Sequence, residues 1–139
     1  VMSVKATIKQ IKEVPAGFAV SYGRKYISDV PAKIASIGLG YADGLSRRFS
    51  TMTPEVSPEG KPLPCVIING RYAPIAGKIC MDQFMVDASG VDAKINDEVI
   101  LIGKSGSEEI TADEIARLTG TINYEVVCDI GKRVPRIYE

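Results

Sequence analysis

Cys65-Val-Ile-Ile-Asn-Gly-Arg-Tyr-Ala-Pro-Ile75 contains the strongest hairpin signal in the chain. Two runs rich in apolar residues, 65–68 and 71–75, flank the pair Asn69-Gly70. This pair favours a type I′ turn, because both central positions of that turn need a positive φ, and the turn joins two antiparallel strands. The sequence therefore predicts a tight β-hairpin at this point.

Further short strands are predicted on both sides of the hairpin. Val4, Ala6 and Ile8 alternate with polar residues, which is the period of a half-buried strand, until Val14-Pro15 interrupts the pattern. Residues 33–39 are apolar or small on both faces, which is typical of a strand buried on both sides. Other strands are predicted at 18–22, 83–86 and 98–102.

The segment 47–63 differs from the strands around it. It contains Pro54, Pro58, Pro62 and Gly60 together with several Ser and Thr residues. Such a composition interrupts both helices and strands. We therefore expect this segment to be an exposed, irregular excursion and the most mobile part of the chain.

Two short helices are predicted towards the C-terminus. Thr111-Ala-Asp-Glu114 has the pattern of a capping box, and Gly120 follows the expected last turn. Residues 121–128 fit either a strand or a helix, and we favour the helix. Short, evenly spaced strands with little helix predict a mainly β fold: a single domain over 1–139, in which a closed or partly closed β-barrel of short strands carries one or two short helices near the C-terminus.

Composition excludes several classes of function. Seventeen basic and seventeen acidic residues cancel, so neither nucleic acid nor a membrane is expected as a partner of this domain. The chain has no histidine, which argues against His-based catalytic triads and most zinc sites, and no metal is expected. Its three cysteines have no C-x-x-C spacing, which favours reduced thiols buried in the core and a cytoplasmic location.

Gly40-Tyr-Ala-Asp-Gly44 places a phenol between glycines at the end of a predicted strand. Glycine lets the backbone turn sharply and lets another group approach closely, so a ligand or a partner surface could lie against Tyr41. A tyrosine that packs its ring in the core and hydrogen-bonds its hydroxyl is the alternative. The chemistry of these residues alone leaves both interpretations open.

Five segments, in this order, resemble the C-terminal domain of the pyridoxal-phosphate-dependent alanine racemases, and together they span nearly the whole chain. They are Val20-Ser-Tyr-Gly-Arg-Lys-Tyr26, Ile37-Gly-Leu-Gly-Tyr-Ala-Asp-Gly44, Pro74-Ile-Ala-Gly-Lys-Ile-Cys-Met-Asp-Gln83, Asp97-Glu-Val-Ile-Leu-Ile-Gly103, and Thr121-Ile-Asn-Tyr-Glu125 continuing to Arg133-Val-Pro-Arg136. The resemblance implies an isomerase that interconverts L- and D-alanine with two bases, one on each face of the substrate.

Roles for three residues follow from the resemblance. Tyr41 would be one catalytic base, the backbone N–H of Met81 would help to hold the substrate carboxylate, and the hydroxyl of Tyr124 would contact the cofactor phosphate. Core packing is the alternative for Met81, and a buried structural role is the alternative for Tyr124. Serine-preferring relatives carry a smaller polar residue at the position of Tyr124, so this tyrosine favours alanine as the substrate.

The resemblance also implies what this chain does not supply. Pyridoxal 5′-phosphate would be bound covalently by a lysine of the family's N-terminal (β/α)8 barrel, and this lysine would also be the second base. The barrel has no counterpart in this sequence. The expected partners are that barrel, both of the same protein and of the second subunit of a homodimer. We expect the isolated chain to fold without racemising alanine.

Some features leave room for other interpretations. Lys78 stands where the family usually has an arginine that lines the channel to the active site, and it lacks the planar, two-donor geometry of arginine. Arg133 and Arg136 are predicted to be structural or solvent-facing rather than catalytic. A domain of a serine racemase, and a stand-alone β-barrel with a binding or regulatory role, are the alternative functions.

Overall fold

A computed structural model describes residues 2–50 and 55–138 and shows a mainly β fold with two helices at its C-terminal end. The strands are β1 Val4–Val14, β2 Ala19–Val20, β3 Tyr26–Ile27, β4 Ala32–Ile37, β5 Glu55–Val56, β6 Pro62–Leu63, β7 Cys65–Ile68, β8 Arg71–Pro74, β9 Phe84–Asp87, β10 Glu98–Ser105 and β11 Glu108–Ile110. The helices are α1 Ala112–Thr119 and α2 Asn123–Asp129. Short 3-10 turns lie at Tyr22–Arg24, Tyr41–Asp43 and Arg47–Phe49.

Seven of the strands form one antiparallel sheet in the order β8-β7-β10-β1-β4-β9, with β11 paired to β10. The long strand β1 joins its two halves. Its first residues pair with β10, and its remainder, from Ile8 to Val14, pairs with β4. The register shifts between Ile8 and Gln10, at the change of partner, and such an irregularity bends a strand.

The hairpin predicted at Asn69-Gly70 is confirmed. Ile68 pairs with Arg71, so that the loop has two residues, and the φ angles of Asn69 and Gly70 are 48° and 73°. Both central positions thus have the positive φ of a type I′ turn. All four residues of β7, which lies between β8 and β10 in the sheet, are buried and belong to the main apolar core.

Both predicted helices are confirmed. Thr111 Oγ1 accepts a hydrogen bond of 3.1 Å from the backbone N–H of Glu114 and so caps α1. The Glu114 carboxylate does not close the predicted capping box, because it lies 2.6 Å from Nζ of Lys61 instead. Gly120 ends α1 with a φ of 76°. Residues 123–129, where the sequence fitted a strand or a helix, form α2.

The core is formed by the buried faces of the sheet together with one face of each helix. Ile8, Phe84 and Leu101 from the sheet, with Ile115 of α1 and Val126 of α2, belong to one continuous cluster of buried apolar residues. A second, smaller cluster around Val14, Val20, Ala32, Ile34 and Ala76 lies at the other end of β1. The two clusters explain why β4 is buried at four of its six positions.

The mainly β class with short C-terminal helices is confirmed, but the sheet is not closed, so the closed or partly closed β-barrel predicted from the sequence is wrong. Among the described residues no sheet forms a barrel, and the outer strands β8 and β9 do not form a ladder; one isolated bridge, Ile75 to Val86, joins the residue after β8 to β9. The local reason is the end of β8. Pro74 has no N–H to donate to a ladder, and Gly77, with a φ of 84°, turns the chain away from extended geometry.

The segment 47–63 is only partly as predicted. Phe49 is 1% exposed and Leu63 is buried, so the expectation of a wholly exposed excursion is wrong, because each supplies an apolar side chain to the interior. Residues 55–56 and 62–63 pair as the short strands β5 and β6. Residues 51–54 lie outside the described residues, and the mobility of the segment stays a prediction.

The cysteines are free, and two of the three are buried as predicted. Burial raises the pKa of the Cys65 thiol to about 12, so this side chain is a neutral part of the core. Cys128 is exposed, so core packing was the wrong expectation for it. It lies on the outer face of α2.

No described helix is long and apolar enough to span a bilayer, since α1 has only eight residues.

Candidate functional site

Tyr41 begins a 3-10 turn that follows β4. The turn is held by backbone hydrogen bonds from Tyr41 N to Cys80 O and from Ala42 N to Met81 O, each 3.0 Å long. Tyr41 is 42% exposed, so its ring does not lie in the core. The residue is therefore fixed through its main chain while its phenol faces outward.

Gly40 permits this arrangement. A Cβ at this position would lie 2.3 Å from Met81 O and 2.4 Å from Cys80 O, which is closer than any side chain tolerates. The φ of Gly40 is −149°, which any residue can adopt, so the requirement for glycine is steric and not conformational. The close approach brings Tyr41 and Met81, two of the three predicted site residues, onto adjoining loops.

Gly44 fixes the other end of the turn. Its φ is 114°, in the region that favours glycine, and a Cβ would lie 2.1 Å from the carbonyl oxygen of Asp129 at the end of α2. The N–H of Gly131 donates to Asp43 O over 2.8 Å. The Tyr41 turn is thus packed between the loop that carries Met81 and the segment that follows α2.

Met81 lies at the tip of a small turn. Cys80 N donates to Gln83 O over 2.9 Å and closes that turn, and Met81 is 53% exposed, so it does not fill the core. In the part of the chain that the structure describes, the backbone N–H of Met81 has no hydrogen-bond acceptor. An exposed backbone donor of this kind can bind an anionic group such as a carboxylate.

Tyr124 is the second residue of α2 and is 74% exposed. Within residues 2–50 and 55–138, no hydrogen bond joins it to Tyr41 or Met81. The end of α2 contacts the Tyr41 turn, whereas Tyr124 lies near the start of the helix. The structure therefore brings Tyr41 and Met81 together directly and places Tyr124 on a neighbouring element. The functional roles of all three stay predictions.

Sequence reasoning missed an ionic cluster beside the Tyr41 turn. Nε of Arg133 lies 3.3 Å from Oδ1 of Asp43, and Nη2 of Arg133 lies 2.7 Å from Oδ1 of Asp82. The hydrogen bond to Asp82 and the charge of Asp43 raise the pKa of Arg133 above its ordinary value. The three residues are far apart in the sequence, so no local pattern could have indicated that they meet.

Lys78 is held through its backbone. Oγ of Ser21 donates to Lys78 O over 2.9 Å and accepts from Lys78 N over 3.0 Å. A Cβ on Gly23 would lie 3.8 Å from Nζ of Lys78, so the ammonium group lies beside the Tyr22–Arg24 turn. Its role in a channel stays a prediction.

The possible ligand groups of this face are hydroxyls and a backbone N–H. Among the described residues no group of three or more Asp, Glu or Cys side chains could hold a metal ion. A cavity of about 320 Å³ lies behind the Tyr41 turn, between the sheet and the helices, and Leu39, Leu101, Ile115 and Val126 help to line it. Tyr41, Met81 and Tyr124 do not line this cavity, so the candidate site is an open face.

Comparisons with known proteins agree on one family. Residues 1–138 match the family described as "Alanine racemase, C-terminal domain". The chain is 48% identical to the alanine racemase of Clostridium novyi over 99% of its own length and 33% of the relative, and 44% identical to that of Halothermothrix orenii over 100% and 34%. It thus spans about a third of the length of the curated relatives that it matches.

A solved structure gives the same result for the fold. The chain resembles the crystal structure of alanine racemase from Bacillus anthracis, described with bound L-Ala-P, with a TM-score of 0.85 and 37% identity over 97% of this chain and 32% of that one. An identity of this size supports common ancestry in addition to a common fold. The chain belongs to the family of alanine racemase C-terminal domains.

Proposed function

We propose that this chain supplies one half of the active site of an enzyme that interconverts L- and D-alanine. The observation that carries the proposal is the backbone junction of the Tyr41 turn with the Met81 loop, where both residues are exposed and the Met81 N–H has no backbone acceptor among the described residues. Family membership over residues 1–138 supports it. Because the chain corresponds to a third of its relatives, the remainder of the site would come from outside it.

Tyr41 is the base that this chain contributes. Racemisation removes the proton from Cα on one face and returns a proton on the other, so one base on each face suffices. Tyr41 Oη would exchange that proton on its own face. A free phenol has a pKa near ~10, so a tyrosine acting as a base near neutral pH needs positive charge or hydrogen-bond donors close to its oxygen. We assign these groups to the partner barrel.

Met81 and Tyr124 bind rather than react. The N–H of Met81, which has no acceptor in the described part of the chain, would hold the substrate carboxylate and so orient Cα beneath the Tyr41 hydroxyl. The exposed hydroxyl of Tyr124 would donate to the phosphate of pyridoxal 5′-phosphate. Hydroxyl and amide donors that have no acceptor among the described residues fit such a group. When bound, the cofactor would supply the electron sink that makes the Cα proton removable.

The exposed side chains of the Tyr41 turn, the Met81 loop and the start of α2 also suit a protein partner. Tyr41, Met81, Ile122 and Tyr124 are 42%, 53%, 61% and 74% exposed, respectively, although all have large apolar parts. A surface of this kind is typical of a docking site. We assign it to the N-terminal barrel of the second subunit in a homodimer, with alanine bound between the two. The isolated chain would then show no turnover of alanine.

Tyr41→Phe in the full-length protein tests the assignment. We expect exchange of the Cα proton with deuterated solvent to fall by about 10²–10⁴-fold for one enantiomer of alanine, while exchange for the other is retained, because only one face loses its base. Deuterium incorporation, followed separately for L- and D-alanine, measures this. Tyr138→Phe, at an exposed position, serves as the control. Equal loss for both enantiomers would mean that Tyr41 only supports the fold.

A further inference from the structure

Arg133 joins the two loops that form the candidate site. Its guanidinium contacts Asp43 through Nε, at 3.3 Å, and Asp82 through Nη2, at 2.7 Å. Asp43 is the last residue of the Tyr41 turn, and Asp82 directly follows Met81. One side chain therefore spans from the loop that carries Tyr41 to the loop that carries Met81.

Asp43 is well placed to transmit the position of Arg133 to Tyr41. Its Oδ2 accepts a 2.9 Å hydrogen bond from Gly40 N, while its Oδ1 faces Arg133. The carboxylate thus bridges the start of the turn and the guanidinium. Its side chain is only 14% exposed, so water competes little for it. A shift of Arg133 would act on both ends of the Tyr41 turn.

The tail that carries Arg133 is itself held in place. Arg136 Nη1 donates to the carbonyls of Gly131 and Val134 over 2.6 and 2.7 Å, and its Nη2 donates to the carbonyl of Ile130 over 2.8 Å. Gly131 is in turn bonded to Asp43 O. The backbone on both sides of Arg133 is therefore fixed against the end of α2 and the Tyr41 turn.

We propose that Arg133 is a positioning residue of the racemase site, which sets the separation between the Tyr41 hydroxyl and the Met81 N–H by bridging Asp43 and Asp82. The inference rests on the proposed function. Its chemical basis is the fork of arginine, which offers separate N–H donors in fixed directions, whereas lysine offers one compact charge. The pair with Asp82 is 56% and 61% exposed, and an exposed pair contributes little to stability.

Steady-state kinetics of the full-length enzyme with alanine test this. For Arg133→Ala we expect kcat/KM to fall at least ~10-fold, with both a higher KM and a lower kcat. The reason is that the Met81 N–H, which binds the substrate carboxylate, and the Tyr41 base lose their mutual alignment. Arg133→Lys keeps the charge, and we expect it to recover only a minor part of the loss. Asp82→Asn removes the charge from one arm of the bridge and should give a smaller change of the same kind. Arg71→Ala, at an exposed position of β8, is the control.

The outcomes separate this inference from the proposed function. A wild-type enzyme without alanine racemase activity would overturn the proposed function. An active wild type with Arg133→Ala within twofold of it in both kcat and KM would overturn the positioning role. The positioning role would also be overturned if Arg133→Ala lowered only the fraction of folded protein or its thermal stability and left KM unchanged. Should Arg133→Ala fail to fold, the exposed Asp82→Asn decides by the same criteria.

Discussion

Strand β7 and the Tyr41 turn hold their places in opposite ways. In β7, Val66, Ile67 and Ile68 are 0% exposed, and their side chains are entirely used in packing against the rest of the domain. In the turn and the loop beside it, Tyr41 and Met81 are half-exposed, and the order comes from backbone hydrogen bonds and from glycines that permit close approach.

The contrast shows how a small domain can both be stable and present a site. Side chains buried in the sheet contribute hydrophobic free energy and leave nothing for binding a ligand. Where the backbone alone fixes the chain, the side chains and an N–H stay available for substrate and partner. Substitutions in β7 should therefore lower mainly stability, and substitutions in the Tyr41 turn should lower mainly activity.

The largest effect on stability is expected in the hairpin. Ile67→Ala should lower the free energy of unfolding by about 2–5 kcal/mol, because it removes three carbons from a fully buried site between Tyr72 and Ile100 on the neighbouring strands. Urea unfolding of the chain measures this, with Ile67→Val, at about 0.5–1.5 kcal/mol, as a graded control. The kcat of the folded full-length enzyme should stay unchanged. A matching fall in kcat would show that the two regions are coupled.

A smaller loss of stability but a larger loss of activity is expected in the turn. Gly40→Ala forces a Cβ against the carbonyls of Cys80 and Met81, so the two loops must separate. We expect about 1–3 kcal/mol of destabilisation, as for overpacking elsewhere, and a loss of kcat/KM greater than that of Ile67→Ala. Gly90→Ala is the matched control, since its Cβ would meet no atom within 4 Å and should change stability by less than about 0.5 kcal/mol. An active Gly40→Ala enzyme would contradict the role of the close approach.

Local signals in the sequence predicted most elements of this fold. Asn69-Gly70 specified its hairpin and Thr111 its helix cap, because the chemistry of a turn or a cap depends on residues a few positions apart. Pairing between distant strands has no such local signal. Closure of the sheet was therefore predicted wrongly, and the short strand β11, which pairs with the end of β10, was not predicted at all.

The candidate site shows the same division. The motifs around Tyr41 and Met81 marked both residues through resemblance to a family. That Gly40 lets the two loops touch, and that Arg133 bridges Asp43 and Asp82, depends on contacts between segments that lie far apart in the chain. For this reason the sequence predicted only that Arg133 is structural or solvent-facing, and not which residues it contacts. The exposure of apolar residues was likewise not predicted, since a sequence pattern does not show which side chains the fold leaves uncovered.

The smallest effect concerns a polar contact in the second, smaller core cluster, away from β7. Tyr26 Oη donates to Oδ2 of Asp87 over 3.0 Å, and burial, followed by the charge of Asp87, raises the pKa of Tyr26 to about 12. In the folded chain the phenol keeps its proton between pH 10 and 12, whereas an unfolded tyrosine loses it near pH ~10. The stabilisation is thus complete below pH ~10 and is lost as the pH rises towards 12.

Tyr26→Phe isolates this contribution. Between pH 9 and pH 11.5, the wild-type chain should lose about 1 kcal/mol more of its free energy of unfolding than the variant loses, a figure reduced for the partial exposure of the phenol. Urea unfolding at the two pH values measures the difference, and absorbance of the phenolate reports the titration directly. Equal losses in both chains would show that Tyr26 ionises freely. In that case side-chain hydrogen bonds would contribute little to stability even outside the site. The whole domain, and not only β7 and the Tyr41 turn, would then depend on apolar packing and backbone contacts.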